Sequence, residues 1–206
     1  LPSWYNFHLV ATKKTKKSVK KKNKPRKAKS QGKGSFLYYS EIGVVLSVDF
    51  YTAGSLIMSR EFNKNNTLDK IIYYDKKFIK GETYKTTRTV EFYENGNYES
   101  ETIVEEKEDG YEHEQIKEYY SNGFLKTEQV LIDGDKHGIC YEYYENGNVK
   151  QVGCFEYDKP VFVQLFYNED GSPMKIERWK KGKLKSTETT FNPKQSFTFN
   201  VEKYKD

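Results

Sequence analysis

Apolar and polar residues alternate with a period of two in many parts of the chain. Val44, Leu46, Val48 and Phe50 form one such run. Alternation of this kind is typical of a β-strand that buries one face. We expect strands over 36–39, 44–51, 56–62 and 68–74, with further antiparallel strands from residue 82 onward. No segment shows a convincing helical period, so the pattern predicts an all-β fold.

Aromatic pairs followed by turn residues recur along the chain, 19–27 residues apart. The pairs and their turns are Phe50-Tyr51 with Gly54, Phe92-Tyr93 with Asn95-Gly96, Tyr119-Tyr120 with Asn122-Gly123, Tyr143-Tyr144 with Asn146-Gly147, and Phe166-Tyr167 with Asp170-Gly171. We interpret Tyr73-Tyr74, followed by Asp75-Lys76-Lys77, as a sixth pair with a degraded turn. Asn-Gly is a strong hairpin signal, and the short period fits one β-hairpin per repeat.

A second set of turns alternates with the first. Its members are Glu108-Asp109-Gly110, the stretch 133–138, the stretch 157–160 and Lys180-Lys181-Gly182. Strand and turn in strict alternation predict a meander. The fold class we expect is therefore an elongated antiparallel β-hairpin repeat array, a single sheet from about Phe36 to Phe199, with an extended basic N-terminal arm.

The repeated unit resembles a known family. A Tyr-Tyr-x-Asn-Gly turn, a polar strand and then Asp-Gly-x-x-x-Gly are similar to MORN-type repeats, in particular the bacterial variant described as an antitoxin-like repeat family. Residues 119–171 match best, residues 43–118 diverge, and residues 1–40 lie outside the resemblance. The resemblance implies a non-enzymatic scaffold that binds proteins or lipid head groups, and it supplies no catalytic residue.

Charge divides the chain into two unequal parts. Residues 1–40 hold 12 Lys and Arg and no Asp or Glu, so the other residues carry 23 basic and 30 acidic side chains, a net charge of −7. Four segments follow from this division and from the repeats. They are an aromatic N-terminal anchor over 1–10, a Lys-rich extended arm over 11–34, divergent β repeats over 35–81 and MORN-like hairpin repeats over 82–206.

The first two segments supply the residues that we expect to bind a partner. Trp4, Tyr5 and Phe7 form either a docking peptide or an edge strand that caps the first repeat. The basic positions of the arm repel one another and predict no fold of their own, so they act either as a solvated linker or as an anion-binding tract. They are Lys13, Lys14, Lys16, Lys17, Lys20, Lys21, Lys22, Lys24, Arg26, Lys27 and Lys29.

Catalytic and metal-binding patterns are weak. His8, His113 and His137 have neither zinc-site spacing nor a nearby cysteine. Ser172 and Lys175 match a Ser-x-x-Lys motif, but that chemistry needs a helix start and the motif follows a hairpin turn. The acidic run at residues 105–109 is either a solvated hairpin tip or a weak cation site. We expect no catalytic residue, no cofactor and no metal.

Two cysteines flank the Asn146-Gly147 turn, and loop length decides how they face. A three-residue loop pairs Cys140 with Cys154, whereas a two-residue loop pairs Cys140 with Gly153 and places the two sulfur atoms on opposite faces. Because Asn-Gly favours the two-residue loop, we predict that the thiols are not joined.

The function expected from these features is a non-enzymatic scaffold for protein–protein interaction, an accessory subunit of a larger envelope assembly tethered by its arm. One alternative is a toxin-neutralising or immunity protein with an acidic binding face. Another is binding of nucleic acid or an anionic membrane surface through residues 11–34. The start at Leu1 suggests export to the periplasm or membrane periphery, with a cytoplasmic location as the alternative. No apolar run is long enough to span a membrane.

Overall fold

The structure is a computed structural model that describes residues 33–79, 81–108 and 110–189. These residues form thirteen β-strands and no helix. The strands are β1 (Gly34–Tyr39), β2 (Val45–Thr52), β3 (Ser55–Phe62), β4 (Leu68–Ile79), β5 (Glu82–Phe92), β6 (Tyr98–Lys107), β7 (Glu112–Tyr119), β8 (Leu125–Ile132), β9 (Asp135–Tyr143), β10 (Val149–Glu156), β11 (Lys159–Tyr167), β12 (Pro173–Lys180) and β13 (Lys183–Glu188).

Each strand pairs antiparallel with its neighbours in sequence, and the order from β1 to β13 is unbroken. The described chain is therefore one open meander sheet, as the alternation of strands and turns predicts. Such a sheet needs only short connections, because adjacent antiparallel strands can be joined by tight hairpins. The part of the prediction that concerns residues 1–32 and 190–206 lies outside the described residues.

Three-residue loops join the strands at one end of the hairpins, which we call the Asn-Gly end of the sheet. At the loop between β9 and β10, the N–H of Tyr144 donates to the carbonyl of Asn148, and the N–H of Gly147 donates to the carbonyl of Tyr144. Gly147 has a φ of +87°, which is the left-handed residue that this loop requires. The same two bonds recur at Asn95-Gly96, Asn122-Gly123 and Asp170-Gly171, so all four predicted turns are confirmed.

Two-residue loops join most of the strands at the opposite end of the hairpins. The turn of β6 and β7 is an exception, because the N–H of Lys107 donates to the carbonyl of Tyr111 and the N–H of Gly110 donates to that of Lys107. Asp133 and Gly134 have φ values of +49° and +86° between the paired residues Ile132 and Asp135. Two successive positive φ values are typical of a type I′ turn, whose twist matches that of the flanking strands. Ala53-Gly54 has the same geometry. The turn after Phe50-Tyr51 thus lies at this end of the hairpins, not in the series of Asn-Gly turns in which the sequence pattern placed it.

The interpretation of Tyr73-Tyr74 as a pair before a turn is wrong. Both residues lie in the middle of β4, a strand of twelve residues that continues to Ile79. Asp75-Lys76-Lys77 contains no glycine or asparagine, the residues that most readily adopt a positive φ. The chain turns instead at Gly81, where φ is +88°.

The cysteines show the predicted register, reached by a different loop. Cys140 pairs with Gly153, and Ile139 pairs with Cys154. The loop has three residues, not two, and an irregularity between Val149 and Gln151 shifts the pairing by one residue. The two sulfur atoms consequently lie on opposite faces, and no disulfide joins them.

The apolar cluster of buried side chains lies on one face of the C-terminal strands, which we call the front face. Val152, Leu165 and Ile176 are paired across β10, β11 and β12 and are at most 7% exposed. The partly buried apolar residues packed against them are Ile139, Tyr141, Val149, Val163 and Tyr167. Because cross-strand pairs share a face, this cluster forms within one layer and holds neighbouring hairpins together.

Candidate interaction surface

All fourteen residues predicted to bind a partner lie in the segment 1–32, outside the described residues. They are Trp4, Tyr5, Phe7, Lys13, Lys14, Lys16, Lys17, Lys20, Lys21, Lys22, Lys24, Arg26, Lys27 and Lys29. The predicted contact sites therefore remain predictions. The site that can be built from geometry is the sheet itself, with its turns, its two faces and its two edges.

The second aromatic residue of three of the pairs links one hairpin to the next through its hydroxyl group. The hydroxyls donate from Tyr93 to the carbonyl of Tyr119, from Tyr120 to that of Tyr143, and from Tyr144 to that of Tyr167, at 2.7, 2.7 and 2.9 Å. Each bond satisfies a backbone carbonyl near the Asn-Gly end of the sheet. This role was not predicted from the sequence, although the constant spacing of 23 residues between the last two partners is a visible signal of it.

The asparagines of the Asn-Gly turns form a second set of links. In the turn of β7 and β8, Asn122 accepts a bond from the N–H of Phe124 through Oδ1 and donates through Nδ2 to the carbonyl of Glu145 in the next turn. Asn146 donates in the same way to Glu169 at 2.8 Å. Asp170 has no such donor, and its carboxylate accepts from Ser172 instead. The two sets of bonds hold consecutive turns in a regular row.

Ion pairs lie at the centre of the front face. Arg88 donates to Glu101 at 2.6 Å, and its guanidinium lies 5.3 Å from the ring centre of Tyr73. Burial disfavours the charge of Arg88 and is the largest single effect, but the hydrogen bond and charge of Glu101, with smaller contributions from Tyr73 and Tyr98, together outweigh it and raise the pKa of Arg88. Lys117 and Glu128 form the next pair at 3.2 Å. This part of the face presents paired charges beside aromatic rings, a mixture suited to contact with a protein.

Carboxylates concentrate near the hairpin of β6 and β7. Glu106 pairs across the strands with Glu112, and Glu114 lies on the same face. Burial, followed by the hydrogen bond and charge of Glu112, raises the pKa of Glu114. Lys107 lies on the opposite face, where its Nζ is 3.5 Å from a carboxylate oxygen of Glu82. Asp109, at the predicted acidic tip, lies outside the described residues.

The weak catalytic patterns gain no support from geometry. The hydroxyl of Ser172 donates to Asp170, and Lys175 binds Glu177 at 2.7 Å, so each side chain is engaged by an acidic partner. The ring of His137 packs edge-on against Tyr157 at 5.3 Å. Within the residues that the structure describes, no group of three or more His, Cys, Asp and Glu could hold a metal ion. No helix in the same ranges is long and apolar enough to cross a membrane.

Comparison with protein-family models finds no match for this chain. Comparison with curated proteins also finds none. Function is therefore inferred from the sequence, geometry and charge of this chain.

Proposed function

We propose that this protein is a non-catalytic β-hairpin-repeat scaffold that binds other proteins and is attached to a larger assembly by its Lys-rich arm. The observation that carries the proposal is the single-layer sheet. No second layer covers either face within residues 33–79, 81–108 and 110–189. Large apolar side chains, among them Phe78, Phe124 and Phe162, remain more than half exposed. Aromatic side chains are enriched at protein–protein interfaces, so these residues are suited to contact with a partner.

The row of turns supports a scaffold role. Tyrosine hydroxyls and asparagine amides tie each hairpin from β5 to β12 to the next. A surface fixed in this way loses little conformational entropy on binding, which favours affinity. The resemblance to MORN-type repeats points in the same direction.

Charge supports attachment through the arm. The twelve cations of residues 1–40 have no acidic neighbour in that segment, and the rest of the chain offers a net charge of only −7. An external acidic surface is therefore the better counterpart. Contact of this kind weakens with salt, because exposed charges are screened beyond about 8–10 Å near physiological ionic strength.

The test is affinity purification with the intact chain, with a chain lacking residues 11–34 and with Trp4→Ala/Phe7→Ala, each over a series of salt concentrations. Matched variants replace every lysine of the arm by arginine, which keeps the charge, or by glutamine, which removes it. We expect one stable complex whose affinity falls with salt equally for the intact chain and the arginine variant, whereas the glutamine variant and the deletion bind more weakly at low salt and with a smaller salt slope.

Other outcomes overturn the proposal in distinguishable ways. One small basic protein, bound at the acidic body whatever the arm, would indicate toxin neutralisation. Material released by nuclease would indicate nucleic acid, and binding to protein-free anionic vesicles would indicate a membrane surface. If deletion of 11–34 leaves the affinity and its salt slope unchanged, the arm is a passive linker.

A further inference from the structure

The two edge strands of the sheet differ in charge. β13 carries Lys183 and Lys185, and exposed lysines on an edge strand oppose pairing with another strand. β1 has the sequence Gly-Ser-Phe-Leu-Tyr-Tyr and no charged residue. Of the two edges, only β13 has this protection, so β1 is the edge that can pair further.

Pairing of β1 with β2 uses only one of its two sides. The register runs from Gly34 opposite Tyr51 to Tyr39 opposite Val45. Among the described residues, no strand pairs with the other side. In an antiparallel strand, alternate residues direct N–H and C=O to opposite sides, so about half of these six residues direct both groups outward. Leu37 and Tyr39, 46% and 55% exposed, offer apolar surface beside those groups.

We propose that β1 binds an extended segment of the partner protein, which adds a strand to the sheet and has an uncharged centre flanked by acidic residues. The inference rests on the proposed function, since it names the partner's binding mode. Main-chain hydrogen bonds supply affinity in such complexes, and alternate side chains supply specificity.

The acidic flanks follow from the position of the arm. Arg26, Lys27, Lys29 and Lys33 precede Gly34 by eight residues or fewer, a reach of at most about 28 Å from the strand. Because the chain joins them to the first residue of β1, these cations are within covalent reach of one end of an added strand. A second copy of this chain is a poorer occupant, because pairing of two β1 strands would bring two arms of like charge together.

The test uses two synthetic ten-residue peptides as probes. Both have a Thr-Val-Thr-Val-Thr-Val core, flanked by two glutamates on each side in one peptide and by two lysines in the other. Fluorescence anisotropy measures their binding to the full-length protein, and hydrogen exchange measures protection of residues 34–39. We expect the glutamate peptide to bind at least tenfold more tightly than the lysine peptide and to protect β1.

Two matched variants locate the site. Leu37→Lys places a lysine on β1, and Leu184→Lys places one on β13, at positions 46% and 48% exposed. We expect Leu37→Lys to weaken binding of the glutamate peptide about tenfold and Leu184→Lys to change it less than twofold. Thermal unfolding checks that both variants fold.

Several results would overturn the proposal. Equal effects of the two variants would show that β1 is not the site, and equal binding of the two peptides would show that acidic flanks are not recognised. Dimers that Leu37→Lys dissociates would assign the edge to a second copy, and binding only after removal of residues 1–10 would assign it to the chain's own N-terminus. If these results coincide with arm-dependent purification of a partner, only the strand-addition inference is wrong.

Discussion

Gly153→Ala should destabilise the sheet, because a glutamine side chain occupies the space that the new methyl group needs. A Cβ atom at Gly153 would overlap Oε1 and Cδ of Gln164 and would lie 2.8 Å from its Nε2. Gln164 is only 2% exposed, and its Nε2 donates to the carbonyl of Cys154 at 2.9 Å. The side chain cannot keep this position in the variant.

The cost follows from the interaction that is lost. Removing a hydrogen bond from a buried group costs about 1–3 kcal/mol, and restriction of the unfolded chain by alanine returns about 0.4–1 kcal/mol. We therefore expect Gly153→Ala to lower the free energy of unfolding by about 1–2 kcal/mol. For a protein of this size that is a fall in Tm of roughly 2–8 °C. Urea unfolding followed by circular dichroism measures it.

Two controls isolate the clash. Gly34 is the other described glycine without a positive φ, and no atom lies within 4 Å of the position that a Cβ would occupy there. Gly34→Ala should therefore be neutral or slightly stabilising. In a Gln164→Ala background the effect of Gly153→Ala should largely disappear, since the two residues are in contact. Equal stability of Gly153→Ala and Gly34→Ala would refute the reasoning.

Three further predictions use the turns and the acidic hairpin. Gly147→Val should cost about 1–3 kcal/mol from the positive φ alone, and its Cβ would also lie 3.2 Å from the ring of Phe124; unchanged thermal unfolding would contradict it. Tyr120→Phe should cost about 0.5–1.5 kcal/mol through loss of the 2.7 Å bond to the carbonyl of Tyr143, measured by urea unfolding, and an unchanged midpoint would show that the bond adds nothing. Glu114→Gln should raise the free energy of unfolding at pH 7, because burial and the neighbouring carboxylate of Glu112 raise the pKa of Glu114 in the folded protein. The protonated side chain therefore contributes to stability below the unfolded-state pKa, and this contribution is lost as the pH rises through the folded-state pKa. The gain should vanish near about pH 3.5, and a gain independent of pH would exclude this cause.

The strands and most of the turns, including those of the second set, could be predicted because their signals are local. Alternation determines which residues can share a face, and Asn-Gly or Asp-Gly provides a residue that tolerates a positive φ. The expected strands 56–62 and 68–74 leave room for the turn at Asn63–Thr67, but its geometry could not be predicted, because its left-handed residue is Asn66, with a φ of +60°, in place of glycine. Tyr73-Tyr74 gave a false signal because an aromatic pair suits any pleated surface, whether or not a turn follows.

Loop length and the contacts between turns could not be read from the sequence. Asn-Gly fits both a two-residue and a three-residue loop, and local preference favours the shorter. In the structure, Asn146 is the second of three loop residues, from which its amide reaches the carbonyl of Glu169. The hydrogen bond that favours the longer loop is thus made to a residue 23 positions away. No local sequence pattern contains this contact. The same limit applies to Gln164, whose buried position depends on a glycine in the adjacent strand.

Contacts between consecutive turns also explain how a single layer with few buried residues holds one register. From Tyr93 onward, each turn donates a hydroxyl and an amide to the next, so a shift of one strand would break bonds at both neighbouring turns. The turn at Asn63 differs, because its side chain accepts from the N–H groups of Asn65 and Thr67 within the same turn. The following strands β4 and β5 are the longest of the described sheet. Their additional cross-strand pairs take the place of the hydrogen bond between consecutive turns. Register is thus maintained by turn-to-turn bonds in the regular repeats and by strand length where the repeats diverge.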